Sequence, residues 1–533
     1  MALVAMQKRD KRKMLGSQTL PTVAAVLAAV VSASPVSGRE VATVPDDLTG
    51  ELGCEALKLV YGSGSVFLPG DAEYAEEAAA FWSNTQLMSP TCIFRPTSAE
   101  QVASAVVGNS GTGTQWAVRG GGHMGIRGAN NIDKGMLIVM SGIKTLRISE
   151  DRTAVHVGPG NKWGDVYDYL AQFDVAVAGG RLGPVGVPGL LLGGGVSFYG
   201  HQAGWSADNV LEYEVVLADG RTVAASADEN QDLFWALKGG SANFGIVTDF
   251  KLRTFPSKKV WAGVYTVSGE HMAAFEEAVA RYSSEPQDPL SHAVPMVIPM
   301  AGGVTVASVI LFYDSETVSE PECFRDFLAI PPISPPTTAF KTVAEFAKEN
   351  GALVVPGVND VFLAGTTVGK TQAELLEGVQ ITNKVFLDAV PALHAAIGGA
   401  DKMVLNSINW QPIGAAWQAA SEKMNPAGNA LGIDTAAKGT YLAWALAIEW
   451  VDGPGHDEIV DKWVRETIAA MEEATKAAGL YDAFNYMGDA AGFQEVYAGY
   501  GEENQKKLLE ISRKYDPERV TQKLWPGGFK VGV

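Results

Sequence analysis

VRGGGH, residues Val118–His123, removes side chains from three consecutive positions just before one of only seven histidines in 533 residues. Glycine has no Cβ, so such a run lets a backbone pass close to another surface and lets its N–H groups converge without steric cost. Three more stretches share the feature: VGPGNKWGDVY (157–167), GGRLGPVGVPGLLLGGGVSF (179–198) and KGGSANFG (238–245). Together they predict a cradle for an anionic group such as a pyrophosphate, in a region of short strands and glycine turns from Gln115 to Pro256. Asp219-Gly220, between EYEVVLA and RTVAAS, predicts a hairpin turn.

Two nucleotide-binding patterns fail against the same residues. A Rossmann fingerprint needs G-x-G-x-x-G opening a helix after a strand. After Gly158-Pro-Gly160 the third glycine comes one place late, and Gly193-Gly194-Gly195 runs into VSFY rather than a clean helix. No P-loop, no G-x-S-x-G elbow and no CxxC, HxxxH or HExxH spacing occurs, so triphosphatase, serine-hydrolase and metal-site readings have no support. The net charge of −19 disfavours nucleic acid and anionic membranes and favours a small-molecule ligand. The 59 glycines, about 11% against a usual ~7%, concentrate in the first half.

The chain is long enough for more than one domain. Basic residues 8–13, the short apolar run Val23–Val31 and the small residues that follow predict a secretory leader over 1–38, too short to span a membrane. On that reading Cys54 and Cys92 pair as a disulfide and Cys323 stays free. Ser98 with Gln101 predicts a helix N-terminus. After Pro256 glycine thins, and strand-like runs alternate with helices. The expected organisation is a cofactor domain over 39–256, an α+β substrate domain over 257–480 and a tail over 481–533.

VRGGGH, GGGVSFYGHQAGWSADNV (193–210), EVVLADG (214–220), DLFWALKGGSANFGIVT (232–248) and the terminal FNY…YGEEN…KYDP…GGFK, in that order, resemble the berberine-bridge-enzyme-like branch of the vanillyl-alcohol-oxidase flavoproteins. The likeness is to the fungal FAD-linked oxidoreductases of secondary metabolism, and it covers about residues 50–533. It implies an α+β fold: a two-part FAD-binding domain of the PCMH type, a substrate domain with an antiparallel sheet, and a tail that returns to the FAD domain.

The resemblance implies FAD bonded covalently to His123, with Arg119, Gly120, Gly121 and Gly122 bringing the loop against the ring and phosphates. Val185, Gly186, Gly189, Gly193, Gly194 and Gly195 would face the cofactor, Val185 at the position that admits oxygen. Asp208 and Asn209 would lie near it, and Gly245, Ile246 and Val247 near the adenine end, with Gly240 and Asn243. Leu182 stands where many relatives have a second linking cysteine, so one covalent link is expected. His201 is expected as a polar loop residue, and Trp205, Trp235 and Phe244 as core.

Tyr486, oriented by Asn485, is the implied catalytic base, which requires its phenol pKa to be depressed from about 10. Gln411 and Glu449, on strands of the second domain, are expected to face the substrate. The implied chemistry is hydride transfer from an activated C–H to the flavin, then reoxidation by oxygen to hydrogen peroxide. An oxidative cyclase and a carbohydrate oxidase are the alternatives, and no metal is expected.

Overall fold

The computed structural model describes residues 46–284 and 286–532, so the leader expected over 1–38 lies outside the described residues. Cys92–Phe94, Met136–Val139 and Trp116–Arg119 form a small parallel sheet, with Val66–Phe67 added antiparallel at its edge. The helix Ala99–Thr112 makes the crossover that parallel strands require. Ser98 caps it by accepting from Gln101 N, and Gly113 ends it at φ +72°. Cys54 and Cys92 are joined, with Cα atoms 6.0 Å apart, which staples the helix Asp46–Tyr61 to this sheet, and Cys323 is free.

A second sheet of five antiparallel strands runs in the order 146–148, 154–157, 246–253, 210–216 and 222–226. Its hairpin turns at Asp219-Gly220, where Gly220 has φ +82°. VRGGGH leaves the end of a strand in the first sheet, and KGGSANFG enters the second at Ile246.

From Val260 the chain builds an eight-stranded antiparallel sheet. Residues Tyr481–Asp482, assigned to the tail by composition, close its edge beside Asn359–Gly369. The strand Thr440–Trp450 is buried throughout, and its alternation explains how. Leu442, Trp444, Leu446, Ile448 and Trp450 pack with the helices Gln372–Ala396 and His456–Ala477. Tyr441, Ala443, Ala445, Ala447 and Glu449 point the other way, and Tyr441 and Ala443 join the core of the first domain. The sheet is therefore a roof, with helices above and the glycine loops below. The longer helix starts at a capping box, Thr371 with Glu374, and buries Leu375, Val379, Phe386, Val390 and Leu393 on one face.

Replacing both Cys54 and Cys92 by serine releases the covalent loop between them. We expect a loss of about 2–4 kcal/mol in denaturant unfolding, with the unfolding slope little changed.

Candidate active site

The three glycines of VRGGGH meet protein. A Cβ on Gly121 would stand 2.4 Å from Gly186 Cα and 2.5 Å from its N, and one on Gly186 would stand 2.4 Å from Gly121 N. A Cβ on Gly120 would stand 2.4 Å from Pro188 Cγ, which gives that proline a role as a floor under the loop. Gly122 has φ +66° and its carbonyl accepts from Trp82 N at 3.1 Å. Two backbones are thus in direct contact, and His123 follows at once.

The His123 ring stacks on Trp82, centroids 4.4 Å apart and 20° from parallel. Its Nε2 is buried with no hydrogen-bond partner among the described residues. Desolvation, assisted by the charge of Lys162, pushes the imidazole down to about 4. A neutral ring with an unengaged nitrogen is the nucleophilic form of histidine, which suits a covalent bond to a cofactor.

Arg119 is spent elsewhere: it is buried and bonded to the Glu77 carboxylate and carbonyl, and Glu77 also accepts from Ser141 Oγ at 2.9 Å. It anchors the loop from behind and is not a free anion ligand. Gly193 ends the helix Val187–Leu192, and Gly194 and Gly195 have φ +103° and +83°. Their carbonyls accept from Ala207 and Ser206, and a Cβ on Gly195 would stand 2.6 Å from Ser206 Cβ. These two glycines lock a turn. Gly189 differs: it is exposed, with nothing within 4 Å of an added Cβ, so its backbone is open to a ligand.

The remaining cofactor candidates form support. Asp208 accepts from Asn425 Nδ2 at 2.9 Å and Asn429 Nδ2 at 3.0 Å, and Asn209 donates to the Ala203 and Trp205 carbonyls. Gly245 has φ +149° against the Val216 carbonyl, and Ile246 and Val247 lie in the strand that pairs with Val210–Val216. Asn243, near Gly240, donates to Tyr497 Oη at 2.8 Å and to the Phe529 carbonyl at 3.0 Å, tying the C-terminal segment to this domain. Trp205, Trp235 and Phe244 are core. His201 is corrected from a loop residue to a core one, buried against Trp417 and His292, with Nδ1 3.0 Å from the Ser291 carbonyl.

Tyr486 is buried beside Trp205, and its hydroxyl accepts from Val196 N at 3.2 Å. The phenol is pushed up, not down: burial dominates, the Asp489 charge adds to it, and Val196 N–H and the Arg181 charge only partly offset them. Asn485 stays half-buried beside it. Burial also raises the Asp489 carboxyl to about 6, against the charge of Arg181.

Gln411 does reach this site, and both ends of its amide have a partner. Oε1 accepts from Arg181 Nη1 at 2.6 Å, and Nε2 donates to His292 Nε2 at 3.1 Å. It is a tether, not a free substrate contact. Glu449 shares the roof face but lies six residues further along the sheet, about 20 Å away at ~3.3 Å per residue. There it pairs across strands with Asp360, which abuts Gly125 just past His123, and burial raises both carboxyls to about 7. Gln411 and Glu449 therefore mark opposite ends of the roof.

Sequence reasoning missed Arg181, Asp489, Asp360 and Trp82. Arg181 carried a signal, being the only charged residue between Gly179 and Phe198. Asp360 and Trp82 carried none, since only folding brings them to His123.

An FAD binding domain family matches residues 90–226, which include VRGGGH and the Gly193–Gly195 turn. The FAD-dependent monooxygenase prx3 of Penicillium roqueforti is 34% identical over 485 residues, covering 90% of this chain and 93% of that protein. The bifunctional solanapyrone synthase of Alternaria solani is 34% identical over 481 residues, covering 90% and 89%. This chain belongs to the berberine-bridge-enzyme-like FAD-dependent oxidoreductases. The fold agrees with that of 6-hydroxy-D-nicotine oxidase from Arthrobacter nicotinovorans, at 22% identity and a TM-score of 0.70, covering 86% of this chain and 96% of that one. It agrees equally with xylooligosaccharide oxidase from Myceliophthora thermophila, at 19% identity and a TM-score of 0.70, covering 90% and 99%. The family binds FAD, and the orphaned His123 nitrogen and the open Gly189 backbone fit that cofactor.

Two outcomes follow. Gly121→Ala must push the two loops apart and should lower the melting temperature and the flavin content together, whereas Gly189→Ala should leave the melting temperature unchanged. Asp489 has a folded pKa of about 6, above an ordinary value of about 4. The protonated acid is favoured in the fold, so its contribution is present at low pH and is lost as pH rises through that window. Asp489→Asn should therefore gain stability relative to the parent between about pH 4 and 6, with a constant difference above, read from melting temperatures across pH.

Proposed function

We propose that this FAD-dependent oxidoreductase is an oxidase of a small secondary-metabolite substrate, with the cofactor bonded to His123 alone. The observation that carries this reading is the buried, unpartnered Nε2 of a neutral histidine at the end of the glycine loop. FAD held there would supply the redox chemistry: acceptance of a hydride from an activated C–H and transfer of two electrons to oxygen. The chain supplies position and protons. The Gly121–Gly186 contact fixes the loop that presents His123, and Val185, half-buried on the facing loop, borders the oxygen approach. Tyr486 Oη takes the proton from the substrate hydroxyl or amine in its phenolate form, which the raised pKa makes the minor form at neutral pH. Burial opposes the phenolate, and the Val196 N–H and Arg181 charge stabilise it. The leader over 1–38 would direct the chain to the secretory pathway.

A second reading is oxidation coupled to ring closure of a polyketide-like precursor; the likeness to a bifunctional synthase supports it. The monooxygenase naming of the Penicillium relative adds a third, in which an oxygen atom enters the product. Oxygen uptake with equal peroxide supports the oxidase, peroxide with a cyclised product supports the cyclase, and label from oxygen gas in the product supports the monooxygenase.

Acid precipitation of the purified protein tests the covalent bond. Yellow colour should stay in the pellet, and His123→Ala should release it to the supernatant; colour in the parent's supernatant refutes the link. Tyr486→Phe should keep its flavin and slow flavin reduction by about 10²–10⁴-fold. An unchanged reduction rate removes Tyr486 as the base.

A further inference from the structure

Arg181 is a guanidinium with five N–H donors, of which one is used among the described residues, Nη1 to Gln411 Oε1 at 2.6 Å. Asp489 acts on it through its charge, without an ion-pair contact among the described residues. Arg181 is half-buried. Its other nitrogens are not sealed off from solvent, so an anion entering there can reach them. The fork of a guanidinium matches the two oxygens of a carboxylate, or an enolate or phenolate oxygen.

The direction in which Arg181 is held says which anion. Its tether, Gln411, lies on the strand Met403–Ile413, and His292, which holds Gln411, lies on the paired strand Ser291–Pro299. Both belong to the roof, not to the glycine loops, so the charge is drawn toward the substrate side. Asn409, on the same face two residues before Gln411, and its cross-strand partner Met296 also keep accessible surface. Ala443 and Ala445, both small and apolar, stand opposite Gln411 and Asn409. The junction sets one cation beside the apolar side chains of Met296, Ala443 and Ala445.

We infer that Arg181, held by Gln411, recognises an acidic oxygen of the substrate, a carboxylate, enolate or phenolate carried on an apolar body. This rests on the reading of the domain junction as the substrate site. It adds a substrate class to that reading and divides the labour between the groups there. Tyr486 takes the proton of the hydroxyl or amine on the carbon being oxidised, and Arg181, near it, holds the acidic oxygen.

The test compares benzoate with benzamide, a neutral probe of nearly the same shape, on the purified holoenzyme, read by melting temperature and by the visible flavin spectrum. Benzoate should bind at least tenfold tighter. Arg181→Met should abolish that preference, and Arg181→Lys should keep a weaker one, since ammonium lacks the fork. Gln411→Leu, which leaves the charge but frees it, should weaken benzoate by an intermediate factor, and it serves if Arg181→Met does not fold. Equal affinity for the two probes, including no binding of either, overturns the inference, as does benzoate affinity unchanged in Arg181→Met. A fall in flavin midpoint potential in that variant with benzoate affinity intact also overturns it, by assigning the charge to the cofactor. A chain that purifies without flavin refutes the proposed function instead, while the benzoate-dependent melting shift is still read on that protein.

Discussion

The contact on which the site depends is the one between the backbones of Gly121 and Gly186. Neither residue tolerates a Cβ, because each Cα or N of one stands within 2.6 Å of the Cβ position of the other. This contact sets His123 on one loop against Arg181 to Pro188 on the next. It continues into a third loop: Trp163 N donates to the Val185 carbonyl, Val187 N to the Asn161 carbonyl, and Gly179 and Gly180 lie on the Trp163 ring. The loops stack in layers, so much of the glycine serves packing between loops. Where the stack ends, Gly189 is exposed and the His123 Nε2 has no partner among the described residues.

Burial is the dominant electrostatic influence along the domain junction. It drives His123 to about 4 and Asp489 to about 6, and lifts Asp360 and Glu449 to about 7, each toward the neutral form. The ionisable groups gather at two ends, His123 with Asp360 and Glu449 at one and Arg181 with Asp489 and Tyr486 at the other. The alanines 443, 445 and 447 run between them. Low-dielectric surroundings of this kind strengthen each remaining charge interaction.

The C-terminal segment makes the junction rigid. Asn243 receives Gln522 Nε2 at 2.9 Å and Val531 N at 3.1 Å on Oδ1, while its amide group holds Tyr497 and Phe529. The stretch that carries Tyr486 is thereby pinned between the second-domain sheet, through Tyr481–Asp482, and the cofactor domain, through Asn243. Tyr486 reaches Val196 N because both ends of its segment are tied down.

Local rules made much of this readable in the chain. Glycine without Cβ marked the loops, Asp219-Gly220 marked the hairpin, and Ser98 and Gln101 marked a helix start, each from contacts between near neighbours. The order of motifs was enough to name the family and the α+β fold, and the cysteine pair 54 and 92 was visible as well. Sequence could not say what each glycine touches, that Arg119 is consumed by Glu77, or that Gln411 is held at both ends. Those facts depend on partners 42 and 230 residues away. It also assigned Tyr486 a depressed pKa, because the required chemistry was known and the burial was not. Desolvation is a property of everything packed around a group, so only the tertiary structure decided that sign.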